Sequence, residues 1–334
     1  MSNSADPNHE TEPVHPSGVA VDGEIPPLVL QGIDIGVGTW SWGDRLVWGF
    51  GGEYGQEEVR QVFDHSLDAG IRLFDTAEVY GQGKSEQLLG GFIQAMPEER
   101  RKSVIVATKF MPYPWRLGRG NLLRALRGSL KRLGLARVDL YQVHQPLPPI
   151  NPETWMLAMS EAVQAGLTRA VGVSNYDRDW MQRSYDTLIR EGIHLASNQV
   201  EYSLLDRKVE KSGLLRQCQD LGITLIAYSP LAMGILSGKY TPANPPRGIR
   251  GGRYGRRMLE RIAPLIALLK KIGVNHAGKT ASQVAINWCI CKGTLPIPGA
   301  KNIEQAEQNA GVIGWRLTRD EVTELDEVSD KVAA

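Results

Sequence analysis

The chain has 334 residues, of which 42% are hydrophobic and 22% charged, enough for one large barrel-type domain or two ordinary ones. A formal net charge of +1 excludes an overall field for gathering nucleic acid or an anionic membrane surface, so small neutral or locally held ligands are favoured. Three cysteines, Cys218, Cys289 and Cys291, are too few for a disulfide framework or a zinc site. No metal is expected, and no apolar stretch approaches the ~20 residues that span a bilayer.

Residues 1–26 are rich in acids, prolines and histidines, and have neither the apolar core of a signal peptide nor the arginines of a transit peptide. They are expected to form a disordered tail in which His9 and His15 are solvated, ahead of a single domain over 27–334. A cytoplasmic location is expected.

From residue 33 onward, short apolar segments alternate with amphipathic helical ones. Strands are expected at 33–41, 71–77, 103–110, 138–145, 169–175, 195–203, 223–230 and 294–300. Helices are expected at 57–70, 85–96, 121–134 and 152–166, and Gly70, Gly134, Gly166, Gly192 and Gly222 suit left-handed C-caps. Met156, Met159, Cys289 and Cys291 are read as structural. Eight strand-and-helix units imply an α/β fold, an eight-stranded parallel β/α (TIM) barrel. A doubly wound open sheet is the runner-up. Its nucleotide fingerprint is missing, because GVGTWS at 36–41 ends in Ser and VYGQGKSE lacks the upstream glycine of a P-loop.

In such a barrel the chemistry gathers at the C-terminal ends of the strands. Those ends read Thr39, Asp75, Lys109, His144, Ser174 with Asn175, Gln199, Tyr228 with Ser229, and then Lys301. Adjacent strands lie about 5 Å apart, so Asp75, Tyr80, Lys109 and His144 can converge. An ammonium beside a phenol lowers its pKa, and a carboxylate beside the ammonium keeps it charged, so the set suits protonating an oxygen while another species delivers electrons. Asn175 and Gln199 can bond a carboxamide, and Tyr228 offers a face for a flat ring, as a nicotinamide requires. SPLAMGILSGKY at 229–240 has small residues where a pyrophosphate can approach, with Lys239 as a charge partner. Lys301 opens a helix at an N-terminus that favours anions, so a 2′-phosphate there would select NADPH over NADH.

Together DTAEVYGQGKSEQLLG, the ATK of VIVATKF, the His of VDLYQVHQP, GVSNY, NQVEYSLL, IAYSPLAMGILSGKY and PIPGAKNIEQ resemble the aldo-keto reductases, over about residues 28–330. WSWGDRLVWG is similar to the bacterial and plant-plastid branch. The resemblance implies a barrel reductase that uses NADPH/NADP+ without a Rossmann domain and acts on a small-molecule carbonyl substrate. Tyr80 matches the proton donor, and Asp75, Lys109 and His144 match the rest of the tetrad. Ser174, Asn175 and Gln199 match the carboxamide site, with Tyr228 under the nicotinamide and Thr39 and Trp40 nearby. Ser229, Pro230, Leu231 and Lys239 match the pyrophosphate segment, and Gly299, Lys301, Gln305 and Asn309 the adenosine end. Gln308 stands where many relatives carry an acid. A monomer is implied, with no nucleic-acid or membrane partner.

The arginine-rich loop PPRGIRGGRYGRR at 245–257 is expected to reach the cofactor phosphates through Arg250 and Arg253. Trp42, Trp48, Tyr113 and Trp115, with Trp40, are expected to wall an apolar or aromatic substrate pocket. The alternative is an NADPH-binding regulatory subunit resembling the potassium-channel β subunits, with little turnover. The complete tetrad favours the enzyme.

Overall fold

Period-two strands that bury both faces have to close on themselves or be covered by helices, and here both happen. The computed structural model describes residues 29–246 and 248–333. The expected tail and the start of the domain at residue 27 lie outside the described residues. Eight parallel strands run in chain order: β1 (Gly36–Gly38), β2 (Leu73–Asp75), β3 (Ile105–Phe110), β4 (Val138–Val143), β5 (Thr168–Ser174), β6 (Leu195–Glu201), β7 (Thr224–Tyr228) and β8 (Leu295–Pro296). A parallel bridge between Gly38 and Gly299 joins the two ends of the sheet and closes the barrel. The expected β1 over 33–41 shrinks to three residues, because the chain turns after Gly38, where Trp42 N donates to Thr39 O at 2.9 Å.

Alternate residues of each strand separate two cores. Outward positions such as Phe74, Val106, Tyr141 and Val173 pack under the helices. Inward positions form a lower apolar layer with Leu73, Ala107, Leu140, Ile226 and Leu295, plugged by Leu30. One pleat higher the inward side chains become polar: Asp75 follows Leu73, Lys109 follows Ala107 and Gln142 follows Leu140, all buried. The floor of a site is thus written into the same alternation that builds the core.

The expected helices form, at Gln56–Asp68, Lys84–Gln94, Arg119–Leu133 and Pro152–Gln164. Gly70, Gly134, Gly166, Gly192 and Gly222 all adopt positive φ. Met156, Met159 and Cys289 are buried in the outer core. Among the described residues no helix is long and apolar enough to cross a membrane, and no group of three or more His, Cys, Asp or Glu side chains is placed to hold a metal ion.

Candidate active site

The polar layer is held from below by a hydrogen-bond lattice. Lys109 Nζ, wholly buried, donates to Asp75 Oδ1 at 2.5 Å and to the carbonyl of Thr76 at 2.9 Å. Asp75 Oδ2 accepts from Gln199 Nε2 at 2.9 Å and Gln142 Nε2 at 3.3 Å. Both carboxylate oxygens are therefore satisfied, as a buried charge demands. Burial works against the Lys109 ammonium, but the Asp75 carboxylate and the Tyr80 phenol outweigh it and hold its pKa above the usual lysine value.

Tyr80 reaches this layer from the turn after β2, where Gly81, Gln82 and Gly83 have φ of 54°, 56° and 88°. A Cβ at Gly81 would lie 2.6 Å from the carbonyl oxygen of Gly43, so only glycine fits there. The turn rests on Arg132, whose Nε donates to the buried Glu86 carboxylate at 2.5 Å, while Thr108 Oγ1 donates to the other Glu86 oxygen at 2.6 Å. The Tyr80 hydroxyl lies 3.4 Å from Lys109 Nζ, and the His144 ring stands edge-on to Tyr80 with centroids 5.7 Å apart. The four residues expected to converge do so.

The direction of the Tyr80 shift corrects the expectation from spacing. Burial raises the phenol above its ordinary value, and the Lys109 charge offsets this only in part. Desolvation disfavours phenolate more than one ammonium, already neutralised by Asp75, can favour it. His144 moves the other way. Burial first and the Lys109 charge second push its imidazole down to about 3, and its Nδ1 is buried without a hydrogen-bond partner.

These groups face a cleft of about 1210 Å³ that runs across the C-terminal mouth. Its catalytic end is lined by Trp40, Trp48, Val79, Tyr80, Met111, His144 and Gln145. The middle is lined by Ser174, Asn175, Gln199, Tyr228, Ser229, Pro230 and Leu231, and the far end by Lys239, Gly299, Lys301, Gln305 and Asn309. Tyr228 donates to Asn175 Oδ1 at 3.1 Å, and Asn175 Nδ2 donates to the carbonyl of His144 at 3.1 Å, so the middle is tied to the catalytic end. Lys301 Nζ donates to the carbonyl of Trp48 at 2.9 Å and lies over the rings of Trp48 and Tyr54.

Several expected residues are placed elsewhere. Trp42 is wholly buried between Phe74 and Phe92, its Nε1 donating to the carbonyl of Ala300 at 3.1 Å, and is a core residue. Tyr113 and Trp115 stack on each other at 4.8 Å beyond Met111, and Trp115 is 73% exposed. Thr39 is buried below the cleft, donating to the carbonyl of Asp75 at 3.0 Å and sharing a bond with Ser85. Arg253 pairs with Glu201 at 2.9 Å. Arg250 lies on the short helix Ile249–Arg253, and its side chain is outside the described residues. Gln308 accepts from Thr280 Oγ1 at the cleft's far wall.

Sequence reading missed Gln142 and Lys270. The first was available from the inward alternation Leu140, Gln142, His144. Lys270 lines the cleft from the helix Arg256–Asn275 rather than from a strand end, with no local signal in the sequence.

The aldo/keto reductase family profile matches residues 34–330. The sequence is 42% identical over 301 residues to the chloroplastic pyridoxal reductase of Arabidopsis thaliana, covering 87% of this chain and 82% of that protein. Among solved structures, an aldo/keto reductase from Klebsiella pneumoniae in complex with NADP and acetate superposes with a TM-score of 0.67 at 30% identity, covering 88% of this chain and 90% of the other. A thermostable aldo-keto reductase bound to the inhibitor epalrestat superposes with a TM-score of 0.71 at 32% identity, covering 88% and 94%.

Proposed function

Because the chain belongs to the aldo/keto reductase family and is an NADP-dependent oxidoreductase, we propose that it reduces an aldehyde or ketone to the alcohol with Tyr80 as proton donor. The observation that carries this reading is the Tyr80 hydroxyl at the cleft wall, 3.4 Å from an ammonium that is itself clamped by a buried carboxylate. Nothing among the described residues favours the regulatory binding-protein reading over catalysis.

The residues present fit a dinucleotide. Asn309 Nδ2 is a buried donor without a protein partner, on a residue that lines the far end of the cleft. When bound, NADPH supplies the hydride. Ser174, Asn175 and Gln199 are assigned to its carboxamide, Tyr228 to the nicotinamide face, the segment Ser229 to Lys239 to the pyrophosphate, and Lys301, Gln305 and Asn309 to the adenosine end.

The chain's own groups handle the proton. The raised Tyr80 phenol stays protonated through the neutral range and can donate to a carbonyl oxygen. The charged Lys109 then stabilises the phenolate that donation leaves behind, and Asp75 keeps Lys109 in register. His144, neutral, orients the carbonyl beside Tyr80. Trp40, Trp48, Val79, Met111 and Gln145 offer no charge at this end of the cleft, which supports an uncharged apolar or aromatic substrate.

The reading is of one catalytic domain from residue 27 onward, a monomer in the cytoplasm. All three cysteines are free, as suits a reducing compartment.

The test follows NADPH oxidation with aromatic, aliphatic and sugar aldehydes and with pyridoxal, for the wild type and Tyr80→Phe. Loss of the hydroxyl should lower turnover by about 10²-fold or more while NADPH still binds. Equal turnover by the two proteins would refute the assignment of Tyr80.

A further inference from the structure

We propose that Lys270, on the helix Arg256–Asn275, anchors the cofactor's pyrophosphate together with Lys239. This rests on the NADPH reading above and adds a residue from outside the strand-end loops.

The loop after β7 is wound tightly, with positive φ at Ser229, Ala232, Met233, Gly234 and Gly238. The Lys270 side chain lies directly against it. A Cβ at Gly238 would stand 3.2 Å from Lys270 Cε and 3.7 Å from its Nζ. Ile266 Cγ2, from the same helix, would stand closer still at 2.8 Å, so the helix packs directly on the turn and Lys270 lines the cleft beside Ser237, Gly238 and Lys239. Lys239 folds back the other way, its Cε 3.9 Å from where a Cβ at Gly234 would be. Two ammoniums thus share one short turn.

No carboxylate among the described residues pairs with either of them. The next residue makes the contrast: Lys271 points away from the cleft and meets Glu324 at 3.8 Å. Two like charges at one turn with no counter-charge repel, and a group with two negative charges and several acceptor oxygens relieves both at once through charge-assisted hydrogen bonds. The pyrophosphate is that group on a dinucleotide. Lys301, by contrast, belongs to the loop after β8 and to the other end of the cofactor.

The experiment titrates NADPH and NADH into the wild type, Lys270→Gln, Lys239→Gln and Lys271→Gln, following intrinsic tryptophan fluorescence and, independently, calorimetric heat. Lys270→Gln should raise Kd about tenfold for both nucleotides, with a shallower salt dependence and an unchanged melting temperature, whereas Lys271→Gln should bind as the wild type does. An unchanged Kd for Lys270→Gln would overturn the proposal, and a loss confined to NADPH would overturn its assignment to the pyrophosphate. A wild type that binds neither nucleotide would instead overturn the reading on which the proposal rests.

Discussion

Gln142 crosses the barrel to Asp75 through the space that Gly172 leaves open. A Cβ at Gly172 would lie 3.1 Å from Gln142 Cγ and 2.2 Å from Ser197 Oγ, and the latter donates to Gln142 Oε1. The strand glycine is therefore a steric condition for the second hydrogen bond to the carboxylate that holds Lys109. Gly172→Ala should cost about 1–3 kcal/mol of stability and lower turnover. Adding Ser197→Gly, which removes the nearest contact but leaves the Ser197 carbonyl oxygen at 3.1 Å, should recover part of the stability in a denaturant double-mutant cycle. No recovery would mean that the strain lies elsewhere.

Acid sensitivity should trace to His144. Its folded pKa of about 3 lies below the ordinary 6.5 because burial, and then Lys109, oppose its charge. As pH falls through the ordinary value the unfolded chain takes up a proton that the folded protein refuses, so stability declines between about 6.5 and about 3. His144→Asn should lose less stability than the wild type between neutral and mildly acidic buffer, read from urea midpoints. An identical decline in both would place the acid sensitivity on other groups. Carbonyl reduction by the wild type should show no break at the ordinary histidine pKa, because the imidazole is neutral on both sides of it.

Two tryptophans two residues apart should behave oppositely. Trp42 is wholly buried and Trp40 is 39% exposed at the mouth. Trp42→Ala should cost about 3–5 kcal/mol of stability. Trp40→Ala should leave the melting temperature nearly unchanged and raise KM for aromatic aldehydes roughly 3- to 10-fold over aliphatic ones. A uniform KM change across the panel would remove Trp40 from the substrate wall.

That pair also marks where the sequence was and was not legible. Strand alternation and helical period carried the barrel, and the polar residues at the ends of successive strands carried Asp75, Lys109 and His144 to one place. Trp40 and Trp42 look equivalent in WSW, and an extended strand would put both on one face. The turn after Gly38 separates them, and a turn made by a backbone bond from Trp42 N to Thr39 O leaves little trace in side-chain pattern. Tyr80 is a second case. Spacing brings it to Lys109, but whether charge or burial governs the phenol depends on solvent exclusion by residues far apart in the chain. Lys270 is a third, since it lines the cleft only because its helix packs against the turn at Gly238, a tertiary contact with no local pattern.

The closure of the sheet bears on how the molecule comes apart. β1 and β8, of only three and two residues, meet through the bridge from Gly38 to Gly299. This seam is the clasp of the hoop, and the cleft spans it, with Trp48 from the segment after β1 joined to Lys301 from the loop after β8. A long ligand seated there fastens the clasp from outside. Bound nucleotide should therefore slow amide exchange at this seam more than elsewhere in the sheet, because a ligand that binds only the closed ring stabilises it.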